Sequence, residues 1–246
     1  MIVTGGSKGV GRGVAEAFLA EGAHVVICGR TAPETLPEAD GRSAQFVSAD
    51  VRDPDQIDAV IAAAVKPTGR LDVLINNAGG SPPAEAATAS ARFSESIIRL
   101  NLIAPLVFSQ KAFAAMTAGG SIVNIASISG VRPSPGTAAY GAAKAGLLNL
   151  TTSLAQEWAP AVRVNAIIAG LIKTEAADAH YGGEKGIARI EAALPMKRMA
   201  RPADMAQACL FLAGPQAGYV SGACLEVHGA GEPPAFLKLA EEAQNA

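Results

Sequence analysis

The sequence predicts a doubly wound α/β protein, a seven-stranded parallel sheet with helices on both faces. Three observations lead there. Short apolar, β-branched runs alternate with longer stretches of 3.6-residue period, the pattern of strands joined by crossover helices and covered on both sides. The first run opens directly into a glycine-rich turn, Thr4-Gly5-Gly6-Ser7-Lys8-Gly9-Val10-Gly11, which leads into a helical pattern. The length of 246 residues, half of them apolar, suits one large core.

Strands are expected at 2–3, 25–28, 45–48, 71–75, 121–126, 162–168 and 223–227. The first is short because its apolar run begins at Met1. The helix after the glycine turn is closed by Gly22, a residue that adopts the left-handed conformation at helix ends without strain. After the third strand, Asp53 reads as an N-cap and Pro54 as the first helical residue. Ile57, Val60, Ile61 and Ala64 form that helix's buried face. The crossover 31–44 contains Pro33, Pro37 and Gly41, leaving little room for a helix, and is expected to be mostly loop. Segment 171–201 is polar and weakly periodic, and the tail from Gly231 carries Pro233 and Pro234, so both are expected to be mobile or to contact partners. No repeat, low-complexity tract or long charge run divides the chain. A single domain over 1–246 is therefore expected, with 171–201 as a substrate lid and 231–246 as a C-terminal tail.

Charge and composition exclude several classes. The formal net charge is −2 and no basic run occurs, so neither nucleic acid nor an anionic membrane is expected as a primary partner. No stretch approaches 18 consecutive apolar residues, and MIVTGG lacks the charged and apolar regions of a secretory leader, so a soluble, unsecreted protein is expected. Cys28, Cys209 and Cys224 are too few and too scattered for a disulfide framework, and no CxxC or HxxxH spacing suggests a metal. A reducing, cytoplasmic setting fits. His24, His180 and His228 share no ligand spacing and read as structural, although His180 lies within the expected substrate lid.

Two places carry chemistry. The turn containing Gly5, Ser7, Lys8, Gly9, Val10 and Gly11 sits between a strand and a helix, where unpaired N–H groups point at the helix start and missing Cβ atoms let a pyrophosphate approach. A plain connecting turn is the alternative. Tyr140 and Lys144 stand at i and i+4 at the start of a predicted helix, so both side chains share one face, thirteen residues after the strand end at Ser127. A helix with an exposed lysine and a half-buried tyrosine is the alternative there.

The spacing of Gly5, Gly9 and Gly11 differs from GxGxxG and resembles the TGxxxGxG element of the short-chain dehydrogenase/reductase family. Asn76-Asn77-Ala78-Gly79 resembles the family's NNAG element, and Asp50-Val51 resembles its adenine-contacting pair, though a helix-leading Asp explains Asp50 as well. Tyr140-Gly141-Ala142-Ala143-Lys144, Ser127, and Asn101 in Arg99-Leu100-Asn101-Leu102 resemble the catalytic set. After the sixth strand, Gly170 and Thr174 are in register with the family's PGxxxT, while Ala169 replaces the proline and is expected to loosen that loop.

The resemblance implies a Rossmann-type fold and hydride transfer between a nicotinamide cofactor and a carbonyl or secondary alcohol. It implies catalysis by Asn101, Ser127, Tyr140 and Lys144. Tyr140 would donate the proton, Lys144 would lower the tyrosine pKa and bind ribose, Ser127 would hydrogen-bond the substrate oxygen, and Asn101 would hold a relay water. Cofactor contacts are implied at the glycine turn and at Asp50, Val51, Asn77, Ala78, Gly79, Tyr140, Lys144, Gly170, Ile172 and Thr174. The family also implies a homotetramer packed through long helices and C-terminal strands. An enoyl (C=C) reductase of the same fold and a non-catalytic dinucleotide sensor are the rivals, and the intact catalytic set disfavours both.

NADP(H) is favoured over NAD(H). The second strand ends in Gly29-Arg30-Thr31 with no acid before Glu34, so the carboxylate that would bind a ribose 2′-OH is missing. Arg30, Thr31 and Lys8 offer donors to a 2′-phosphate instead, although Arg30 also reads as a solvated strand end or an adenine-stacking residue. The Ala, Leu, Met and Ile of 171–201 hint at an aliphatic substrate.

Overall fold

In the computed structural model, which describes residues 1–175 and 177–244, the apolar runs pair into one sheet. The strands are β1 (Ile2–Thr4), β2 (Val26–Gly29), β3 (Gln45–Ser48), β4 (Val73–Asn76), β5 (Gly120–Ile125), β6 (Val162–Ala169) and β7 (Cys224–Val227). Their spatial order is β3-β2-β1-β4-β5-β6-β7, and every neighbouring pair is parallel. The chain winds outward from β1 to β3, then crosses back to β4. Loops after β1 and β4 therefore leave the sheet in opposite senses, opening a crevice at their carboxyl ends, where open α/β sheets bind ligands.

Helices cover both faces: α1 (Gly9–Ala20), α2 (Pro54–Val65), α3 (Ala91–Ile98), α4 (Ala104–Ala115), α5 (Ala138–Trp158), α6 (Ala177–Tyr181), α7 (Gly183–Ala193), α8 (Pro202–Ala213) and α9 (Ala235–Gln244). Asp53 caps α2 by accepting from the Asp55 N–H, and Ile57, Val60 and Ala64 form its buried face. A π-helical turn, Arg99–Ile103, joins α3 to α4. The resulting run of 25 residues is long and apolar enough to cross a membrane by length and composition. Here it is a core helix, with Ile97, Ala104, Phe108 and Ala112 buried in the protein.

Three segments gain detail from the structure. The crossover 31–44 has no helix and is mostly loop, as expected, with one short hairpin in it: Glu38–Ala39 pairs antiparallel with Arg42–Ser43. Asp40 and Gly41 between them both have positive φ, 49° and 73°, the conformation that Asp-Gly adopts readily in a two-residue hairpin. Segment 171–201 is folded into α6 and α7, because Ala177, Ile187, Leu194 and Met199 bury one another in a small core of their own. The tail carries α9 after its two prolines.

Buried polar groups tie the centre together. Asn76 Nδ2 donates to Ser109 Oγ at 2.9 Å and to Asn124 Oδ1 at 2.8 Å, and Asn124 Nδ2 donates to Thr151 Oγ1 at 2.9 Å. The chain links α4, β4, β5 and α5 inside the core. Arg163 spreads its guanidinium over the carbonyls of Leu212, Ala213, Gly214 and Val220, satisfying the carboxyl end of α8. Asn124→Leu strips Asn76 of one buried partner, so stability should fall by about 1–3 kcal/mol. Urea unfolding followed by circular dichroism measures the loss, and an unchanged midpoint would show that the network adds nothing.

Candidate active site

The crevice begins with a knot at its base. Thr4 Oγ1 accepts from the N–H groups of Asn77 and Ala78, each at 2.9 Å, and Asn77 Nδ2 returns bonds to Thr4 O at 2.9 Å and Gly5 O at 3.2 Å. The loop after β4 thereby fixes the glycine turn after β1. A Cβ on Gly11 would run into the Gly5 carbonyl and the Asn77 side chain, so glycine is required where α1 crosses this knot. Gly5 and Gly9 have φ of 64° and 55°, which bends the chain so that α1 starts pointing into the crevice.

Ser7, Lys8, Gly9 and Val10 form the mouth of this turn. The Ser7 hydroxyl oxygen is buried without a hydrogen-bond partner. Gly9 N–H donates instead to a carboxylate, Glu175 Oε2 at 3.1 Å. An orphaned hydroxyl and an N–H that already draws an oxyanion fit the phosphates of a dinucleotide. Arg30 and Thr31 lie exposed just past β2, and Lys8 is exposed in the turn. After β3, Val51 is buried, while both oxygens of Asp50 are taken by Arg52, at 2.6 Å from Nη2 and 2.9 Å from Nε. These bonds hold the Asp50 carboxyl down at about 2, with Arg30 adding a smaller pull.

The chemical groups converge on a cavity of about 800 Å³. Tyr140 and Lys144 enter from the first turns of α5, Ser127 from the end of β5, and Gly79, Gly170, Ile172 and Thr174 from the loops after β4 and β6. Ser127 and Tyr140 face the same cavity, and Ser127 Oγ accepts from the Ser129 N–H at 3.1 Å. Lys144 Nζ lies 5.6 Å from the centroid of the Tyr140 ring and donates to Ile125 O at 2.7 Å.

Burial governs the ionisation here. Lys144, 4% exposed, is pulled down to about 8 by desolvation. Tyr140 titrates above its ordinary value, because burial outweighs the Ser127 hydrogen bond that favours the phenolate, and Tyr181 pushes the same way as burial. The sequence expectation of a lowered tyrosine pKa is thus corrected for the chain alone.

Asn101 lies in the π-helical turn between α3 and α4. Its side chain is fully engaged by the backbone: Nδ2 donates to Ile97 O at 2.9 Å and Gly80 O at 3.0 Å, and Oδ1 accepts from Gly80 N–H at 2.9 Å. A Cβ on Gly79 would press on Asn101 Oδ1 and stand 3.4 Å from Lys144 Nζ, so glycine keeps open the gap between those two residues. Asn101 thereby ties the loop after β4 to α3.

Ala169 ends β6 as a strand residue, and two backbone bonds tie the following loop to Ala200. Ala200 N–H donates to Leu171 O at 2.9 Å, and Lys173 N–H donates to Ala200 O at 2.8 Å. Gly170 lies against His228, where a Cβ would collide with the histidine backbone and Cβ. His228 bonds Glu226 at 3.0 Å, and His24 O accepts from the chain amino group at 2.8 Å. The reading of His180 falls on a side chain outside the described residues.

Sequence reasoning missed Arg132 and Tyr181, which line the cavity, and Glu232, which reaches back to bond Arg132 at 2.8 Å. No spacing marks them, because the three lie on separate segments. Of the apolar residues in 171–201, Leu171, Ile172 and Ala177 line the cavity, while Ile187, Leu194 and Met199 are buried in the small core of that segment. Hydroxyls of Ser81, Ser127, Ser129, Ser134, Thr137 and Tyr140 line the cavity.

Residues 5–229 match the family model described as enoyl-(acyl carrier protein) reductase. The chain is 34% identical to the 3-oxoacyl-(acyl-carrier-protein) reductase of Chlamydia trachomatis, across 93% of this chain and 95% of that protein. It is 35% identical to 3beta-hydroxysteroid dehydrogenase 1 of Eggerthella lenta, across 93% and 92%. The ligand-free aldohexose dehydrogenase of Thermoplasma acidophilum superposes with a TM-score of 0.85 at 33% identity, covering 93% of this chain and 91% of that one. Actinorhodin polyketide ketoreductase with NADPH does so with 0.84 at 30%, covering 93% and 95%. Enzymes of carbonyl and alcohol chemistry thus share both this chain's fold and its sequence along nearly its whole length, and the chain belongs to the short-chain dehydrogenase/reductase family of oxidoreductases, which transfer hydride with a nicotinamide cofactor.

Proposed function

We propose that this enzyme moves hydride between NADP(H) and a carbonyl or secondary alcohol, with Tyr140 handling the proton. The observation that carries the reading is the convergence of Ser127, Tyr140 and the buried Lys144 on the wall of one cavity. The cofactor, when bound, supplies or accepts the hydride. A substrate oxygen placed between the two hydroxyls accepts from both, and as it gains negative charge it takes the Tyr140 proton. Burial keeps that proton on Tyr140 at neutral pH, which suits a donor. The Lys144 ammonium then balances the phenolate left behind. An oxygen so placed argues for C=O rather than C=C reduction.

On the cofactor side, Gly5, Ser7, Gly9, Val10 and Gly11 would take the phosphates, Asp50 and Val51 the adenine, Asn77 to Gly79 the adenosine side, and Gly170, Ile172 and Thr174 the nicotinamide half. Arg30, Thr31 and Lys8 would meet a 2′-phosphate, since no carboxylate stands at the end of β2 to repel it. A homotetramer belongs to the same reading. Supporting it are apolar side chains left exposed at one edge of the sheet, Leu225 on β7 and Phe211 on α8, with Tyr219 beside them in sequence.

Tyr140→Phe should lower kcat by at least about a hundredfold while cofactor affinity, read by fluorescence titration, stays within about twofold. Wild-type turnover in that variant would remove Tyr140 from proton transfer.

The pH dependence follows from Lys144. Its charge is lost as pH rises through about 8, so kcat/KM for reduction should fall there. Lys144→Arg, which keeps its charge over this range, should move the fall to higher pH at a lower maximum rate. An identical alkaline limb in both proteins would assign it to another group.

Charge-assisted bonds to a 2′-phosphate are worth about 1.5–3 kcal/mol, so Arg30→Ala should reduce kcat/KM with NADPH by about tenfold or more and leave NADH nearly unchanged. A wild-type preference for NADH would reverse the assignment.

A further inference from the structure

The phosphate end of the crevice is already engaged, and by an acid. Glu175 follows Thr174 in the loop after β6, and its two carboxylate oxygens stand 3.1 Å and 3.4 Å from the Gly9 nitrogen, accepting its N–H. Gly9 is the first residue of α1, so this N–H has no intrahelical partner and lies at the positive end of the helix dipole. Lys8 at the cap position supplies no side-chain acceptor. The carboxylate is therefore the group that satisfies this helix start. Thr174 packs next to it, its methyl 3.4 Å from where a Gly9 Cβ would stand.

Two anions cannot share one N–H at close range without strong repulsion. The carboxylate lies where the glycine turn would receive phosphate oxygens, and it is exposed, with no other hydrogen bond among the described residues. It is free to swing out. We propose that Glu175 is a determinant of cofactor affinity, an internal competitor whose carboxylate holds the turn in the free chain and yields it to the cofactor's phosphates. This rests on the dinucleotide reading above and adds a coupling to it. Glu175 begins the segment whose α6 lines the cavity with Ala177 and Tyr181, so phosphate binding at Gly9 releases the near end of that segment.

The test is the affinity of wild type, Glu175→Gln and Glu184→Gln for NADPH and NADH, read by fluorescence titration at fixed ionic strength. Glu184 is an exposed acid at the start of α7 and controls for net charge. Glu175→Gln should bind the preferred cofactor about two- to fivefold more tightly, the range expected of a charge at a helix end, while Glu184→Gln matches wild type. In the free protein, backbone hydrogen exchange at Gly9 should be faster in Glu175→Gln than in wild type. Equal or weaker affinity in Glu175→Gln, or equal tightening in both variants, would overturn the proposal while leaving dinucleotide binding intact. Failure of all three proteins to bind either cofactor would overturn the dinucleotide reading, and this proposal with it.

Discussion

Everything in the crevice hangs on the exchange between Thr4 and Asn77. Two adjacent parallel strands, β1 and β4, end at the same level, and their loops must part there because the chain has wound outward from one and returned to the other. The Thr4 hydroxyl takes both N–H groups of the loop after β4, and the Asn77 amide returns bonds to the carbonyls of Thr4 and Gly5. That lock sets where α1 starts, and so where its free N–H groups point. It also sets where Gly79 and Gly80 lie, which fixes Asn101 through Gly80 and places Asn101 across a narrow gap from Lys144.

Around this lock the protein accepts an electrostatic cost. Lys144 is buried beside an aromatic ring with only a backbone carbonyl as its recorded bond, and desolvation alone accounts for its lowered pKa. Among the described residues no carboxylate is paired with it. A buried ammonium without a counter-ion is poised to stabilise any negative charge that forms next to it, and the nearest candidate is the Tyr140 hydroxyl. The core elsewhere absorbs that cost by satisfying its own polar groups, as the Asn76, Asn124 and Thr151 chain does in the interior.

The crevice is walled by segments that meet only in the folded chain. Arg132 after β5 and Glu232 after β7 join across one side, and the helices α6 and α7 sit over another on a small core separate from the main one. A unit with few apolar ties to the main core opens at lower free energy than the sheet beneath it.

The strand runs, the helix starts at Asp53 and the turn glycines were legible in the sequence because each is a local matter of period, capping or backbone freedom. Tyr140, Lys144 and Ser127 were legible because a helical turn and a strand end hold them at fixed spacing. The Asp40-Gly41 hairpin was also written locally, and the prolines around it masked it. What the fold alone decided are the relations between segments distant in sequence. Asn101 spends its amide on Gly80, Asn77 returns its amide to Thr4, Arg132 meets Glu232, and Glu175 reaches Gly9 across 166 positions. Sequence determines what a residue can bond. Only packing decides which partner arrives within 3 Å, and whether burial leaves its charge stabilised or exposed to the full cost of desolvation.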